Sequence, residues 1–325
     1  LLKLSLREAE MRKAGYIYPA LLIFAAALAS LFPTRAQDQA SSSNVQVTTV
    51  VTALGPKYTA PPALGKQDVN VTEGKQKREV TNWVPAQGDK AALQLAMVID
   101  DADSQDLATQ LGDLKNFISS QPASTAIGVF YASNGTVQPA SQFSTDHEAV
   151  SKSVRIPLGY TGAYSSIYLS VMTLMKGWPV TGGARREILL IADGIDRFRG
   201  DYPTSPDVDS TSVNAQKAGI MIHTLFATGV GRATRNSFRL NLGQSNLAKI
   251  SDATGGEAFF QGFFTPVSYA PFLQQLDMVL KNQYWLSWAT ERTKKPKGEL
   301  RGFKVRTEQR GVDISAADKI FVPGP

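Results

Sequence analysis

Two kinds of apolar patterning alternate along the chain. Leu93–Ile99 (LQLAMVI) is a nearly continuous apolar run bounded by Gly88–Asp89 and a group of acids, which predicts a strand buried on both faces. The next stretch, LATQLGDLKNFI, puts Leu107, Leu111, Leu114 and Phe117 at helical spacing. This strand-then-helix rhythm recurs, with strands predicted over 125–133, 186–194 and 220–229. A glycine-bearing loop and helix follow at 159–175, with Ile167, Val171 and Leu174 on one face. A helix over 245–254 precedes a double-glycine stop and a short strand, and another helix covers 146–153. Asn134–Gly135 predicts a hairpin turn into an antiparallel edge strand, GTVQPASQF. Repeated βα units imply a mostly parallel sheet with helices on both faces.

The two ends follow a period of two. VQVTTVVTALG and DVNVTEGKQKREVTNWVP are β-branched and alternating, with Glu73–Gly74 as a turn. A helix with Phe272, Leu273, Leu276, Val279 and Leu280 on its apolar face leads into QYWLSWAT, GFKVRTEQ and KIFVP, which alternate again. The expected organisation is a small β module over 45–86, an α/β domain over 90–284, and C-terminal strands over 285–325 available to pair with 45–86. The module is too small to hold a core alone.

Residues 1–36 read as a signal peptide with an upstream extension. Arg12 and Lys13 precede the apolar segment Tyr18–Phe32, and Thr34–Arg35–Ala36 places small residues at the −3 and −1 positions of a cleavage site. The apolar segment is short for a span of about 20 residues, so cleavage is expected and a retained anchor is the alternative. Residues 37–44 form a polar linker. The expected location is therefore periplasmic or secreted, with no membrane span in the mature chain.

Composition narrows the chemistry. The chain of 325 residues has no cysteine and two histidines, which excludes disulfides, thiolate chemistry and multi-histidine metal sites. The net charge of +6 falls to +3 without the first 36 residues, and no basic aromatic platform stands out, so a nucleic-acid partner is not expected. No Ser–His–acid arrangement is evident: His223 lies in a strand as a structural histidine, and His147 is expected at the surface.

The candidate site is the end of the first buried strand. Asp100, Asp101, Asp103 and Ser104 fall where a parallel strand hands over to a helix, the edge at which ligands bind in open α/β sheets. Carboxylates this close repel unless a cation or hydrogen-bond donors offset them. Asp193 ends a second buried strand.

Together these residues resemble a von Willebrand factor type A domain of the exported bacterial kind. In that family a divalent cation is held by Asp-x-Ser-x-Ser, by a Thr in a Gly-rich loop, and by an Asp after a later strand. Here DDADS matches at Asp100 and Ser104, GYTGAYSSIYLSV puts Thr161 in the threonine position, and IADG makes Asp193 the second acid. TGGEAFF and the DVNVTEGKQKREVTNW segment extend the likeness over most of the mature chain. The resemblance implies a Rossmann-like three-layer α/β fold. It also implies a site for Mg²⁺, Mn²⁺ or Ca²⁺ built from Asp100, Ser104, Thr161 and Asp193, with Asp103 as an additional acid. Such a cation would accept a Glu or Asp of a partner protein as its last ligand. Ala102 replaces the family's middle Ser, a direct ligand, while Tyr160 and Ser165 replace a Gly and an Asp.

Three functional readings follow. The first is an exported, non-enzymatic adhesion-type module that binds a protein through a divalent cation. The second is a structural or scaffold domain with an inactive cation site, in which the β parts bind. The third is a Mg²⁺-dependent phosphatase-like hydrolase using Asp101 and Asp103. It lacks a Lys near its late acids, Asp193 and Asp196.

Overall fold

The computed structural model describes residues 44–160, 166–179, 182–198 and 205–325. The signal-peptide reading, Thr161, Ser165 and most of the linker lie outside these residues. Among the described residues no helix is long and apolar enough to cross a membrane.

In chain order the strands are β1 (Asn44–Leu54), β2 (Val69–Glu73), β3 (Gln76–Arg78), β4 (Val80–Pro85), β5 (Leu93–Asp100), β6 (Thr125–Ser133) and β7 (Thr136–Ser144). They continue as β8 (Arg185–Ala192), β9 (Ile220–Phe226), β10 (Ala258–Phe259), β11 (Gln283–Glu291), β12 (Glu299–Thr307), β13 (Asp313–Ala316) and β14 (Lys319–Val322). The helices are α1 (Leu111–Ser120), α2 (His147–Lys152), α3 (Ile167–Lys176), α4 (Pro206–Ala218), α5 (Ser237–Thr254) and α6 (Ala270–Lys281).

The central sheet has the order β10-β9-β8-β5-β6-β7, parallel throughout except for β7, which returns antiparallel on β6. Strand β5 is buried along its whole length because its two faces feed different cores. Leu93, Leu95, Met97 and Ile99 pack with Leu114 and Phe117 of α1 and Leu276 and Val279 of α6. Ala96 and Val98 pack on the opposite side with Tyr168 and Val171 of α3, Val208 of α4 and Leu247 of α5. A continuous apolar run is what a strand between two helical layers requires. The result is the Rossmann-like three-layer α/β arrangement that the resemblance implies.

The chain ends fold together. Strand β11 pairs antiparallel with both β1 and β4, while β12 pairs with β2 and β14. These two four-stranded sheets enclose a separate core around Val51, Val71, Trp83, Leu286, Trp288 and Phe303. Strand β13, pairing with β1, has no counterpart among the sequence expectations. Its four residues, Asp313–Ala316, are too few to establish a period.

Element ends differ from the sequence expectation in instructive ways. Strands β8 and β9 stop at Ala192 and Phe226, short of the glycines at 194 and 229, because the chain turns into loops there. Helix α5 begins eight residues before 245, where the Asn236 side chain accepts hydrogen bonds from the backbone N–H groups of Phe238 and Arg239.

His223 is a structural histidine. Its ring is fully buried in β9, with Nδ1 accepting from the Glu257 backbone N–H at 3.1 Å. That leaves Nε2 to donate to Glu187 of β8 at 2.8 Å. The Gln283 amide of β11 also donates to this carboxylate, joining the central sheet to the β sandwich.

Candidate functional site

Register brings the acids together. Ile99 of β5 sits opposite Ile191 of β8, so the two strands deliver Asp100 and Asp193 to the same, C-terminal edge of the sheet. Each turns on its own carboxylate: Asp100 Oδ1 accepts from the Ala102 N–H at 2.9 Å, and Asp193 Oδ1 from the Ile195 N–H at 2.9 Å. Both aspartates are buried, and Asp103 is completely so. Neither carboxylate oxygen of Asp103 has a hydrogen-bond partner among the described residues.

The loop carrying these acids is pinned from two sides. Ser104 N–H donates to the Thr228 carbonyl at 2.7 Å and Val230 N–H to the Ala102 carbonyl at 2.9 Å, so residues 102–104 lie against the loop after β9. On the other side, Arg155 forks onto both oxygens of Asp101 at 2.8 and 2.9 Å, while Leu158 N–H donates to the same carboxylate at 3.0 Å. The Arg155 guanidinium also lies 3.7 Å above the Tyr131 ring.

A cation is built into the centre, and it is a side chain. Arg197, four residues beyond Asp193, forks onto both Asp193 oxygens: Nη1 donates to Oδ1 at 3.1 Å and Nη2 to Oδ2. Only 11% of its side chain is exposed. Burial alone would lower its pKa, but Asp193, Asp100 and Asp103 together hold it above the ordinary arginine value. Burial, with the Asp193 charge added, pushes the Asp100 carboxyl up to about 6. Asp103 is pushed well above the usual carboxylate range by burial and then by Asp100 and Asp193. Gly229 leaves the room this needs, since a Cβ there would lie 2.2 Å from Asp193 Oδ2 and 2.4 Å from Arg197 Nη2.

The residues singled out in the sequence therefore divide. Asp100, Asp103 and Asp193 converge. Ser104 lies on the same loop, but its hydroxyl caps the following 3-10 turn, accepting from Asp106 N–H at 3.2 Å and donating to the Asp106 carboxylate at 2.9 Å. Thr161 lies outside the described residues. Asp101 is taken up by Arg155. Ala102 supplies no side-chain donor, and no group of three or more His, Cys, Asp or Glu suited to a metal occurs among the described residues. A hard divalent cation needs several oxygen ligands arranged around it. The described donors do not supply that set, and a guanidinium already faces the acids. The sequence reading missed Arg197 and Arg155. The one available signal was an arginine four residues after the second acid.

A second feature marks the same edge. The exposed large apolar side chains of the described residues are Ile156, Leu158, Tyr160, Phe198, Phe238, Phe260, Phe264 and Val267. Phe198, Phe238, Phe260, Phe264 and Val267 lie in loops or a helix start that follow the C-terminal ends of β8, β9 and β10, while Ile156, Leu158 and Tyr160 lie in the segment after α2, which the Leu158 and Gly159 N–H groups fasten to Asp101 at the same edge. Phe264 and Val267 are 78% and 95% exposed. These loops are cross-linked: Thr228 and Thr265 exchange reciprocal N–H to hydroxyl bonds at 2.8 Å, and the Gln110 amide donates to the Pro266 and Val267 carbonyls.

No protein-family model matches the chain, and no curated protein sequence does either. Among solved structures, an aerotolerance-related membrane protein from Bacteroides fragilis overlaps at 11% identity and a TM-score of 0.43, covering 58% of this chain and 98% of that one. The conserved hypothetical protein BatB from Bacteroides thetaiotaomicron overlaps at 12% and 0.42, covering 58% and 100%. A von Willebrand factor type A protein from Catenulispora acidiphila overlaps at 10% and 0.40, covering 86% and 73%. Overlaps this loose carry no argument about function, and the α/β assignment stands on strand order and register.

Proposed function

We propose that this chain is an exported, non-catalytic protein-interaction module that docks its partner on the C-terminal edge of the central sheet. The observation that carries the reading is the gathering of the exposed apolar side chains on that one edge. Scattered surface hydrophobes need no explanation, but a set confined to one face marks a contact surface. The cross-linked loops hold this face in shape before binding, which lowers the ordering cost. The surface also has a charge preference: Arg232 and Arg235, beside Phe238, are exposed and have no carboxylate partner among the described residues. The partner chemistry that fits is a protein segment carrying aromatic or aliphatic anchors and carboxylates.

This differs from cation-bridged adhesion, in which a bound Mg²⁺, Mn²⁺ or Ca²⁺ captures an acidic side chain. Arg197 on Asp193 supports the reading in which the cation site is inactive, and the exposed apolar rim supports binding there. The hydrolase reading gains no support, because Asp101 is held in a fork by Arg155 and Asp103 is buried without a proton-relay partner.

The test is a selection from a displayed random-peptide library against the full chain. Enriched peptides should combine aromatic and acidic residues. Leu158→Ser and Phe264→Ser should each weaken their binding roughly tenfold, while Ala123→Ser, on the opposite edge, should leave it unchanged. Binders indifferent to the first two substitutions would refute the docking face.

A further inference from the structure

The outer face of the sandwich sheet β13-β1-β11-β4 meets the N-terminal edge of the central sheet, opposite the edge that carries the acids. Val47 and Val51 of β1, Trp83 of β4 and Leu286 of β11 pack in the sandwich core. Their neighbours in sequence face outward, because side chains alternate along a strand. Register sets these outward residues in rows. Val50, Trp285 and Val84 form one, and Thr48, Ser287 and Asn82 form the next. Rows two residues apart on one face lie roughly 7 Å from each other. An indole flanked by two valines therefore borders a strip of hydroxyls and an amide.

A cavity of about 280 Å³ opens over this face, lined by Trp285, Val84 and the second row, with Gln46 beyond. Its far wall is Lys90 and Gly183, from the segments that enter β5 and β8. Among the described residues Lys90 is the one charged side chain in the lining. Of the four tryptophans, Trp83, Trp178 and Trp288 are buried, whereas Trp285 stays partly exposed. Its Nε1–H donates to the Lys90 carbonyl at 3.3 Å, which holds the ring in place. The Thr48 and Ser287 hydroxyls share a hydrogen bond of 2.9 Å, and the Gln46 amide donates to the Thr81 hydroxyl at 3.4 Å. These groups keep spare capacity, since a hydroxyl pair retains one proton and lone pairs, and a primary amide has two N–H groups and a carbonyl.

This lining selects a class of ligand. A single lysine is too little positive charge to hold a polyphosphate chain, and the hydroxyl and amide row would be left unpaired under a lipid tail. A pyranose with equatorial hydroxyls suits both rows. Its C–H face is flat and apolar, which matches the indole. The hydroxyls around its edge each donate and accept, as the Thr48, Ser287, Asn82 and Gln46 side chains require. A cleft between two packed units, with an aromatic wall and a few placed polar groups, is the usual form of a small-ligand site.

We propose that this cavity binds a saccharide, a β-1,4-linked chain of equatorially substituted pyranoses stacked on Trp285 and hydrogen-bonded along Thr48, Ser287 and Asn82. The site goes beyond the docking rim and lies on the opposite edge of the sheet, so either can fail without the other.

The test is a titration of cellohexaose and of chitohexaose into the full chain, followed through the indole N–H signals by NMR. At least one of the two sugars should shift the Trp285 signal saturably while those of Trp83, Trp178 and Trp288 stay in place. Trp285→Ala should weaken that binding at least about tenfold, and Asn82→Ala, which removes an exposed amide, roughly threefold to tenfold. Trp285→Tyr, which keeps an aromatic face, should retain most of the affinity. Should Trp285→Ala fail to fold, Asn82→Ala and Trp285→Tyr decide the matter, with thermal melts showing that both are folded. A Trp285 signal that ignores both sugars at millimolar concentration would overturn the proposal, as would binding undiminished in a folded Trp285→Ala or Asn82→Ala variant.

Discussion

Arg155 holds Asp101 through two parallel hydrogen bonds of 2.8 and 2.9 Å while stacking 3.7 Å above Tyr131. Asp101 also accepts from the Leu158 N–H, and its own carbonyl accepts from the Gly159 N–H at 3.0 Å. Residues 155–159 are therefore fastened to the DDADS loop by a carboxylate that the resemblance alone would leave unexplained. Arg155→Ala should lower the unfolding free energy by about 1–3 kcal/mol, the range for leaving a buried acceptor without its donor. Urea unfolding gives that magnitude. Amide exchange should locate the effect, with protection falling at Leu158 and Gly159 first.

Two glycines predict opposite outcomes. A Cβ on Gly243 of α5 would lie 2.3 Å from the Asp193 carbonyl oxygen, and one on Gly194 would lie 2.3 Å from the Gly243 carbonyl oxygen. The helix and the turn after β8 approach backbone to backbone there, and Gly194 has a φ of +72°. Gly243→Ala should destabilise the fold by about 1–3 kcal/mol, as overpacking does. In α1, a Cβ on Gly112 meets nothing within 4 Å, so Gly112→Ala should stabilise by about 0.5–1 kcal/mol. Denaturant midpoints of the two variants should shift in opposite directions.

How much of this was legible in the sequence depends on what kind of signal each feature leaves. Strand β5 announces itself because a strand covered on both faces is mostly apolar, and Asp100 and Asp193 mark where two such apolar runs end. The pairing of the two chain ends shows as a return to period two after α6. Arg155 and Arg197 leave no such trace, since a loop arginine acquires its role only when tertiary structure sets it beside an acid. The sequence expectation began the fifth helix at residue 245, whereas α5 starts at Ser237 and includes Gly243, which leaves room for the backbone at Asp193 and Gly194. Asp103, on the non-ligating position of the family pattern, became informative only through its burial.

The β sandwich should carry an acid-sensitive contribution at Glu73. Burial pushes this carboxyl up, but donors from Trp288 at 3.1 Å and Thr290 at 2.8 Å, together with Arg78 and Arg301, outweigh it and hold the pKa below the usual glutamate value. The folded state therefore ionises more readily than the unfolded chain. The resulting stabilisation is complete above the unfolded pKa of about 4.3 and is lost as the pH falls through it towards the folded value. Glu73→Gln removes this contribution. Scanning calorimetry should find the melting temperatures of wild type and variant well apart near neutrality and converging below about pH 4.

The most direct test of cation-free docking at the sheet edge is a comparison of peptide affinity with and without metal. A peptide selected against the full chain, and shown to need Leu158 and Phe264, is titrated into wild-type protein in EDTA and again in millimolar Mg²⁺ or Mn²⁺. Equal affinity in all three conditions is the predicted result, because Arg197 supplies the central charge and the apolar rim supplies the contact. Binding that vanishes in EDTA and returns with Mg²⁺ or Mn²⁺ would contradict the account and restore a bound ion as the element that captures the partner.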